Sequence, residues 1–378
     1  MKIVMMLIIC LVAAGSAMSQ TSFTAEPALP VEIAPDNPGI IYTGRIDFRD
    51  PKAPSFAFPG ISIQADFQGT GIDVSLSGSD DQNYFNVSID GAKTLVIQTV
   101  KGPKRYSIAR KLTPGQHTIQ LFKRTENSHA AFLGFRLDAG MTLLAPKQLY
   151  ERKIEIYGDS ITAGYGNEIA VADPSNFHFT PKNEDNQKAY GAIAARMLNA
   201  QYVAVCQSGH GIFRDFGGDE SNPVPAFLNR IYPDQAMPVW DNQHWLPDVV
   251  IVALGANDYA SELSRKDLSR QQFDRSFATA YGEFIGKLRQ AYGPSVQIVC
   301  AIGQNRDWPQ TNAFARVSGI VDTLVTQRRT QGDVNIHQMV LYDRIPPPYG
   351  EDFHPSAQTH QVLAERLVKV IRQVTGWD

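Results

Sequence analysis

Apolar positions along this chain change their period twice. After Lys2 they run unbroken from Ile3 to Ala14, from about Ile33 to Leu144 they recur in short alternating runs, and beyond Pro146 they gather into strand-length blocks separated by helical patterns. The middle region reads Gly60-Ile61-Ser62-Ile63-Gln64-Ala65-Asp66-Phe67, Gly71-Ile72-Asp73-Val74-Ser75-Leu76 and Tyr84-Phe85-Asn86-Val87-Ser88-Ile89, with turn signals such as Asp90-Gly91 and Pro114-Gly115 between runs. Several short strands at this spacing predict an antiparallel β-sandwich, in jelly-roll form, of about 110 residues.

The region after Pro146 has a different grammar. Apolar runs at Lys153 to Tyr157, Tyr202 to Cys206, Val249 to Leu254, Gln297 to Ile302 and Val334 to Tyr342 alternate with helical patterns at about Gln187 to Leu198, Gln271 to Gln290, Asn312 to Arg329 and Ser356 to Val374. Alternating strands and helices predict an α/β domain, a flavodoxin-like parallel sheet ordered 2-1-3-4-5 with helices on both faces. Such sheets bind ligands beyond the carboxyl ends of their strands. The expected organisation is a leader at 1–19, a sandwich at 20–145 and the α/β domain at 146–378.

The leader has the composition of a secretory signal peptide: a basic start, about a dozen apolar residues and then Gly15-Ser16-Ala17-Met18-Ser19-Gln20, which fits cleavage after Ala17 or Ser19. A lipid anchor at Cys10 has bulky Ile9 where a small residue is expected. No later segment is apolar for long enough to span a bilayer. A hydrophobic share of 43%, a charged share of 19% and a net charge of −3 are globular values, and without clustered Lys and Arg they argue against nucleic acid as a partner. Beyond the leader only Cys206 and Cys300 remain. In a 2-1-3-4-5 sheet their strands are not neighbours, so two free, buried thiols are expected even in an oxidising compartment.

Candidate chemistry collects at the ends of the apolar runs. The first of the α/β domain stops at Gly158-Asp159-Ser160, followed by Ile161-Thr162-Ala163-Gly164-Tyr165-Gly166, which sets a hydroxyl on the turn from strand to Gly-rich loop. Such a serine needs a base to take its proton. Of the eight histidines, His354 is the best placed. It follows the Pro-rich loop Ile345-Pro346-Pro347-Pro348-Tyr349-Gly350, Pro355 opens a helix after it, and Glu351 and Asp352 at −3 and −2 are able to orient the ring. Acyl transfer also needs donors for an oxyanion. The backbone N–H of Ser160, Gly209 in Gln207-Ser208-Gly209-His210-Gly211 and the side chain of Asn257 in Leu254-Gly255-Ala256-Asn257-Asp258 are the candidates. The plainer reading is that Gly209 and Gly211 shape a loop and Asn257 caps one. His354 and His360 are six residues apart, not at the i, i+4 spacing of a helical metal pair, and no metal or cofactor is expected.

In order, Gly158-Asp159-Ser160, Gly209, Gly255-Ala256-Asn257-Asp258 and Asp352-Phe353-His354-Pro355 resemble the four signature blocks of the SGNH (GDSL-type) hydrolase superfamily. The form of the first block and a sandwich ahead of the hydrolase domain are similar to carbohydrate esterase family 2, whose members remove acetyl groups from xylan and other hemicelluloses. The resemblance implies Ser160 as nucleophile, His354 as base and the N–H groups of Ser160 and Gly209 with Asn257 as oxyanion donors. The superfamily's usual acid position, −3, is Glu351 here. In the resembling family an aspartate at −2 can serve, which favours Asp352, and a backbone carbonyl substitutes in some members.

The implied partner is an acetylated polysaccharide or oligosaccharide, hydrolysed outside the cytoplasm through an acetyl-serine. In the loop Gly303-Gln304-Asn305-Arg306-Asp307-Trp308, after a strand and on the matching sheet edge, Trp308 is positioned either to stack on a sugar ring or to pack. Trp240, Trp245 and Tyr259 are lesser candidates. Two other classes fit parts of the pattern. A general short-chain or lipid esterase would add an apolar acyl pocket, and a noncatalytic glycan-binding protein would have no need for Ser160, Asn257 and His354 together.

Overall fold

The alternation in the first half of the chain becomes two facing antiparallel sheets. In the computed structural model, which describes residues 29–126, 128–147, 150–265, 267–303 and 312–378, the strand Ser62–Gly69 turns Ile63, Ala65 and Phe67 inward. Ile63 lies opposite Leu121 and Ala65 opposite Ile119 of the strand Gly115–Lys123. This sheet also holds Thr142–Leu143, Tyr84–Ile89 and Ala92–Gln98, and the facing one is built from Val31–Ile33, Ala130–Leu137, Ile72–Gly78 and Gly102–Ala109. Ile63, Phe67, Val74, Leu76, Phe85, Val87, Leu121 and Phe132 close the space between them. Each such side chain contributes about 1.5–3 kcal/mol by leaving water. The sandwich therefore has a core of its own.

The second half forms a parallel sheet of β1 (Arg152–Gly158), β2 (Ala200–Cys206), β3 (Val249–Ala253), β4 (Gln297–Gly303) and β5 (Ile336–Tyr342), in spatial order 2-1-3-4-5. Its central strands are apolar on both faces because both faces are covered. Ile156 of β1 sits between Ala204 of β2 and Ile251 of β3. One face is packed by α2 (Tyr190–Met197) and α6 (Ala357–Thr375), the other by α4 (Arg270–Tyr292) and α5 (Ala313–Thr330). Two short helices, α1 (Ser160–Ala163) and α3 (Ala256–Arg265), open just after β1 and β3. Cys206 and Cys300 are free and buried on β2 and β4, with β1 and β3 between those strands. Burial pushes the Cys206 thiol well up and the Cys300 thiol to about 12, so neither is a thiolate near neutral pH. No described helix is long and apolar enough to cross a membrane.

Three details depart from the sequence reading. Asn257 lies inside the first turn of α3, where a loop was expected. The segment expected to start a helix at Gln187 is a 3-10 turn, Asn186–Lys188, and α2 begins only at Tyr190. A small hairpin, Arg230–Tyr232 with Gln235–Val239, stands between β2 and β3.

The halves meet across buried polar contacts. Arg45, from the sandwich, is fully buried and donates to Leu228 O (3.0 Å), Arg230 O (3.0 Å), Glu155 Oε1 (2.9 Å) and Tyr157 Oη (2.8 Å). Glu155 and Tyr157 belong to β1, the strand that leads to Ser160. Asn86 Nδ2 likewise donates to the Asp185 carboxylate at 2.9 and 3.0 Å.

Candidate active site

Strand β1 delivers Ser160 through a turn that only glycine permits. A Cβ on Gly158 would lie 2.0 Å from Thr162 Oγ1. Asp159 then caps α1, accepting the Ile161 N–H at 3.0 Å, and Ser160 is its first residue. That leaves the Ser160 N–H without an acceptor among the described residues, as at any helix start. The hydroxyl is almost covered, with Ser160 8% exposed.

His354 meets it from the far end of the sheet. Its Nε2 is 2.9 Å from Ser160 Oγ, while its Nδ1 is 3.1 Å from the Glu351 carbonyl oxygen. With the Nδ1 proton donated to that carbonyl, Nε2 is left as the acceptor of the serine proton. Burial lowers the imidazole to about 4, outweighing the carbonyl and the nearby Asp352 charge, so the ring is neutral at pH 7.

The expected orienting carboxylate is not on the histidine. Asp352 accepts from Tyr165 Oη (2.7 Å), His178 Nδ1 (2.8 Å) and Phe179 N (3.1 Å). The cause is backbone geometry: Asp352 and Phe353 take left-handed φ values of 48° and 63°, which turn the carboxylate away and present the Glu351 carbonyl instead. Burial raises the Asp352 carboxyl, but the donors from Tyr165, His178 and Phe179 bring it below its ordinary value. Glu351 is not on the histidine either, since its carboxylate accepts from Thr180 N (2.9 Å), Thr180 Oγ1 (2.9 Å) and Asn183 Nδ2 (2.6 Å). The Asp352 carboxylate makes no hydrogen bond to the imidazole, but it holds a ring that does touch it. The Tyr165 ring that it holds stacks on the imidazole, with centroids 4.0 Å apart and planes at 21°.

The loop after β2 supplies the other side. His210 N donates to Gln207 O (3.3 Å), and Gly209 has φ +79°, which places it third in a type II turn. Its N–H has no acceptor among the described residues. Asn257 Nδ2 donates to His210 O at 2.9 Å and lies 3.5 Å from Asp159 Oδ2. Its neighbour Asp258 accepts the N–H groups of Ile212 (2.9 Å), Phe213 (2.9 Å) and Arg214 (3.1 Å), fixing the stretch that follows. Burial raises Asp159 to about 7 and Asp258 to about 6, in each case against the N–H donors that lower them.

Of the expected sugar-binding aromatics, Trp308 lies outside the described residues. Tyr259 is fully buried in the core with its hydroxyl on Asp274, Trp245 bonds Gln201 near the opposite end of the sheet, and Trp240 faces Arg45. Two exposed aromatics are bonded through their backbones to the loops of the site: Phe216, 58% exposed, whose N–H donates to Gly209 O at 2.7 Å, and Phe177, 40% exposed, whose carbonyl accepts from Asp352 N at 2.9 Å. They went unnoticed because neither lies in a recognisable motif. Among the described residues no group of three or more His, Cys, Asp and Glu side chains is arranged to hold a metal ion.

A parallel sheet with a serine–histidine pair on its carboxyl edge defines the class: a serine hydrolase of the GDSL type. Residues 156–362 match the GDSL-like Lipase/Acylhydrolase family and residues 42–146 match Carbohydrate esterase 2 N-terminal. The structure of a family two carbohydrate esterase from Clostridium thermocellum, in complex with cellohexaose, superposes with a TM-score of 0.81 at 32% identity over 90% of this chain and 100% of that one. The acetylxylan esterase / glucomannan deacetylase of Cellvibrio japonicus is 28% identical over 96% of this chain and 97% of its own length. The cellulase/esterase CelE of Acetivibrio thermocellus is 36% identical over 90% of this chain, which spans only 40% of that longer protein. This chain belongs to carbohydrate esterase family 2, within the GDSL-like hydrolases, and is a carboxylic ester hydrolase.

Proposed function

We propose that the protein is an exported serine esterase that removes O-acetyl groups from hemicellulose or related sugars through an acetyl-serine intermediate. The observation that carries the reading is the 2.9 Å contact between Ser160 Oγ and a neutral His354 Nε2, in a family whose named relatives deacetylate xylan and glucomannan. His354 takes the serine proton as Oγ attacks the acetyl carbonyl. The oxyanion is met by the N–H groups of Ser160 and Gly209 and by the Asn257 amide, which exchanges its long contact with Asp159 for the substrate. The Glu351 carbonyl stabilises the imidazolium that forms, which then protonates the departing sugar alkoxide. Water repeats the sequence and releases acetate. Phe216 and Phe177 are exposed aromatics whose backbones bond the Gly209 and Asp352 segments, and rings near a few fixed polar groups suit a pyranose.

Acetate release from acetylated xylan, acetylated glucomannan and a 6-O-acetyl hexoside, set against longer-chain acyl esters, tests the substrate. Wild type should be active on the sugar acetates, with activity lost in Ser160→Ala. Preference for long acyl chains would overturn the reading. Sequencing the amino terminus of the exported protein tests the leader, with a start after Ala17 or Ser19 expected and an uncleaved Met1 counting against export.

A further inference from the structure

Four of the hydrogen bonds around the turn that carries Gly209 fix the stretch Ser208 to His210, and one of them comes from the other domain. Within the α/β domain, Phe216 N donates to Gly209 O (2.7 Å), Asn257 Nδ2 to His210 O (2.9 Å), and His210 Nδ1 lies 3.0 Å from Ser208 O. The fourth is Glu126, which follows the sandwich strand Gly115–Lys123 and whose Oε2 accepts the Ser208 N–H at 2.7 Å. Glu126 is only 3% exposed, and its own N–H donates to Glu184 Oε1 at 3.2 Å, so each domain grips the other here.

The chemistry of the turn makes this contact consequential. A type II turn and its type I alternative differ by a flip of the central peptide, here the one joining Ser208 to Gly209. That flip would reverse the Gly209 N–H. Anchoring the Ser208 N–H on one side of this peptide, while the His210 ring holds its carbonyl, fixes the direction of the only polar group Gly209 can offer a substrate.

We propose that Glu126 of the sandwich domain is a positioning residue for the oxyanion site, holding the Ser208 N–H so that the Gly209 N–H points at the reacting carbonyl oxygen. The inference rests on the reading of Gly209 as an oxyanion donor. It gives the sandwich a part in the acyl-transfer step itself, beyond any role in substrate capture. Burial raises the carboxyl to about 7 against the Ser208 donor and Lys123, and the contact survives either protonation state because Oε2 can accept as carboxylate or as carbonyl.

The test separates reach from charge, using 4-nitrophenyl acetate so that it stands whichever natural ester is used. Glu126→Asp keeps the charge and shortens the arm by one methylene, whereas Glu126→Gln keeps the reach and an acceptor oxygen. A misplacement of about 1 Å can cost about 10²-fold in rate. Glu126→Asp should lose at least about tenfold in kcat with KM within about twofold, and Glu126→Gln should stay within about threefold of wild type in both. Thermal midpoints close to wild type in both variants exclude unfolding as the cause. Equal losses in both, wild-type rates in both, or the reverse ranking would overturn the inference. Wild type that cleaves 4-nitrophenyl acetate but no sugar acetate would sink the substrate reading alone.

Discussion

The loop of His354 and the loop of Gly209 stand on either side of Ser160, and they are held in different ways. The histidine loop is fastened by its own domain: Glu351 to Thr180 and Asn183, Asp352 to Tyr165, His178 and Phe179, and Glu351 N to Gly166 O at 3.2 Å. The glycine loop is fastened by both domains, through Asn257 from one and Glu126 from the other. On the proposed roles, the base is set by contacts within one fold, while the oxyanion site depends on how two folds dock. A side chain can be close to the chemistry in sequence and indirect in action, as Asp352 is, or remote in sequence and in direct contact with the critical loop, as Glu126 is.

The sharpest way to break this contrast is at the residue that both holds the glycine loop and is proposed to face the oxyanion. Asn257→Ala removes a donor to the oxyanion and the bond to His210 O, and should cost about 2.7–4 kcal/mol of transition-state stabilisation, or about 10²–10³ in kcat. A loss below about tenfold in steady-state kinetics would remove Asn257 from the oxyanion site.

A smaller effect is expected on the histidine side. Were Asp352 the orienting acid, its loss would cost about 10⁴-fold in kcat. Because its carboxylate makes no hydrogen bond to His354 and acts on it through the Tyr165 ring and at a distance through its charge, Asp352→Ala should lose less than about tenfold. The pH profile sharpens the point. His354 must be neutral to act, and its value is depressed to about 4, so kcat/KM should hold as pH falls through 6.5 and fail only near 4. In Asp352→Ala the limb should stay there or move lower, because the lost anion had favoured the imidazolium. Folding has its own acid dependence of the same sign. His354 and His360, at about 4 and about 3, stay unprotonated in the fold while the unfolded chain takes up protons below 6.5, so the stability they confer above that pH is lost on the way down. Circular dichroism over the same range separates the two.

Much of this was legible in the residues themselves. The parallel strands announced themselves as unbroken apolar runs because helices cover both faces of the sheet, and the order expected for them was that of a flavodoxin-like doubly wound fold. The Gly158-Asp159-Ser160 block was readable because a tight strand-to-helix turn leaves so little choice of residue. Helix α3 was hidden because its first turn, Ala256-Asn257-Asp258, is polar and spends its side chains on the neighbouring loop. The direction of Asp352 was hidden for another reason. Left-handed φ at two successive non-glycine residues is imposed by surrounding bonds and has no local signature. Glu126 could not be found at all, since its partner Ser208 is 82 positions away in a different domain.

Arg45 gives the seam between the domains a further meaning. A cation enclosed with a carboxylate of β1 is a lock whose two halves are each costly to hold open, and removing one partner of such a pair typically costs about 3–5 kcal/mol. Without the sandwich, Glu155 would keep the Tyr292 hydroxyl at 2.6 Å as a donor but lose the cation that balances its charge. The boundary visible in the sequence is thus a change of architecture that buried charges and hydrogen bonds hold shut.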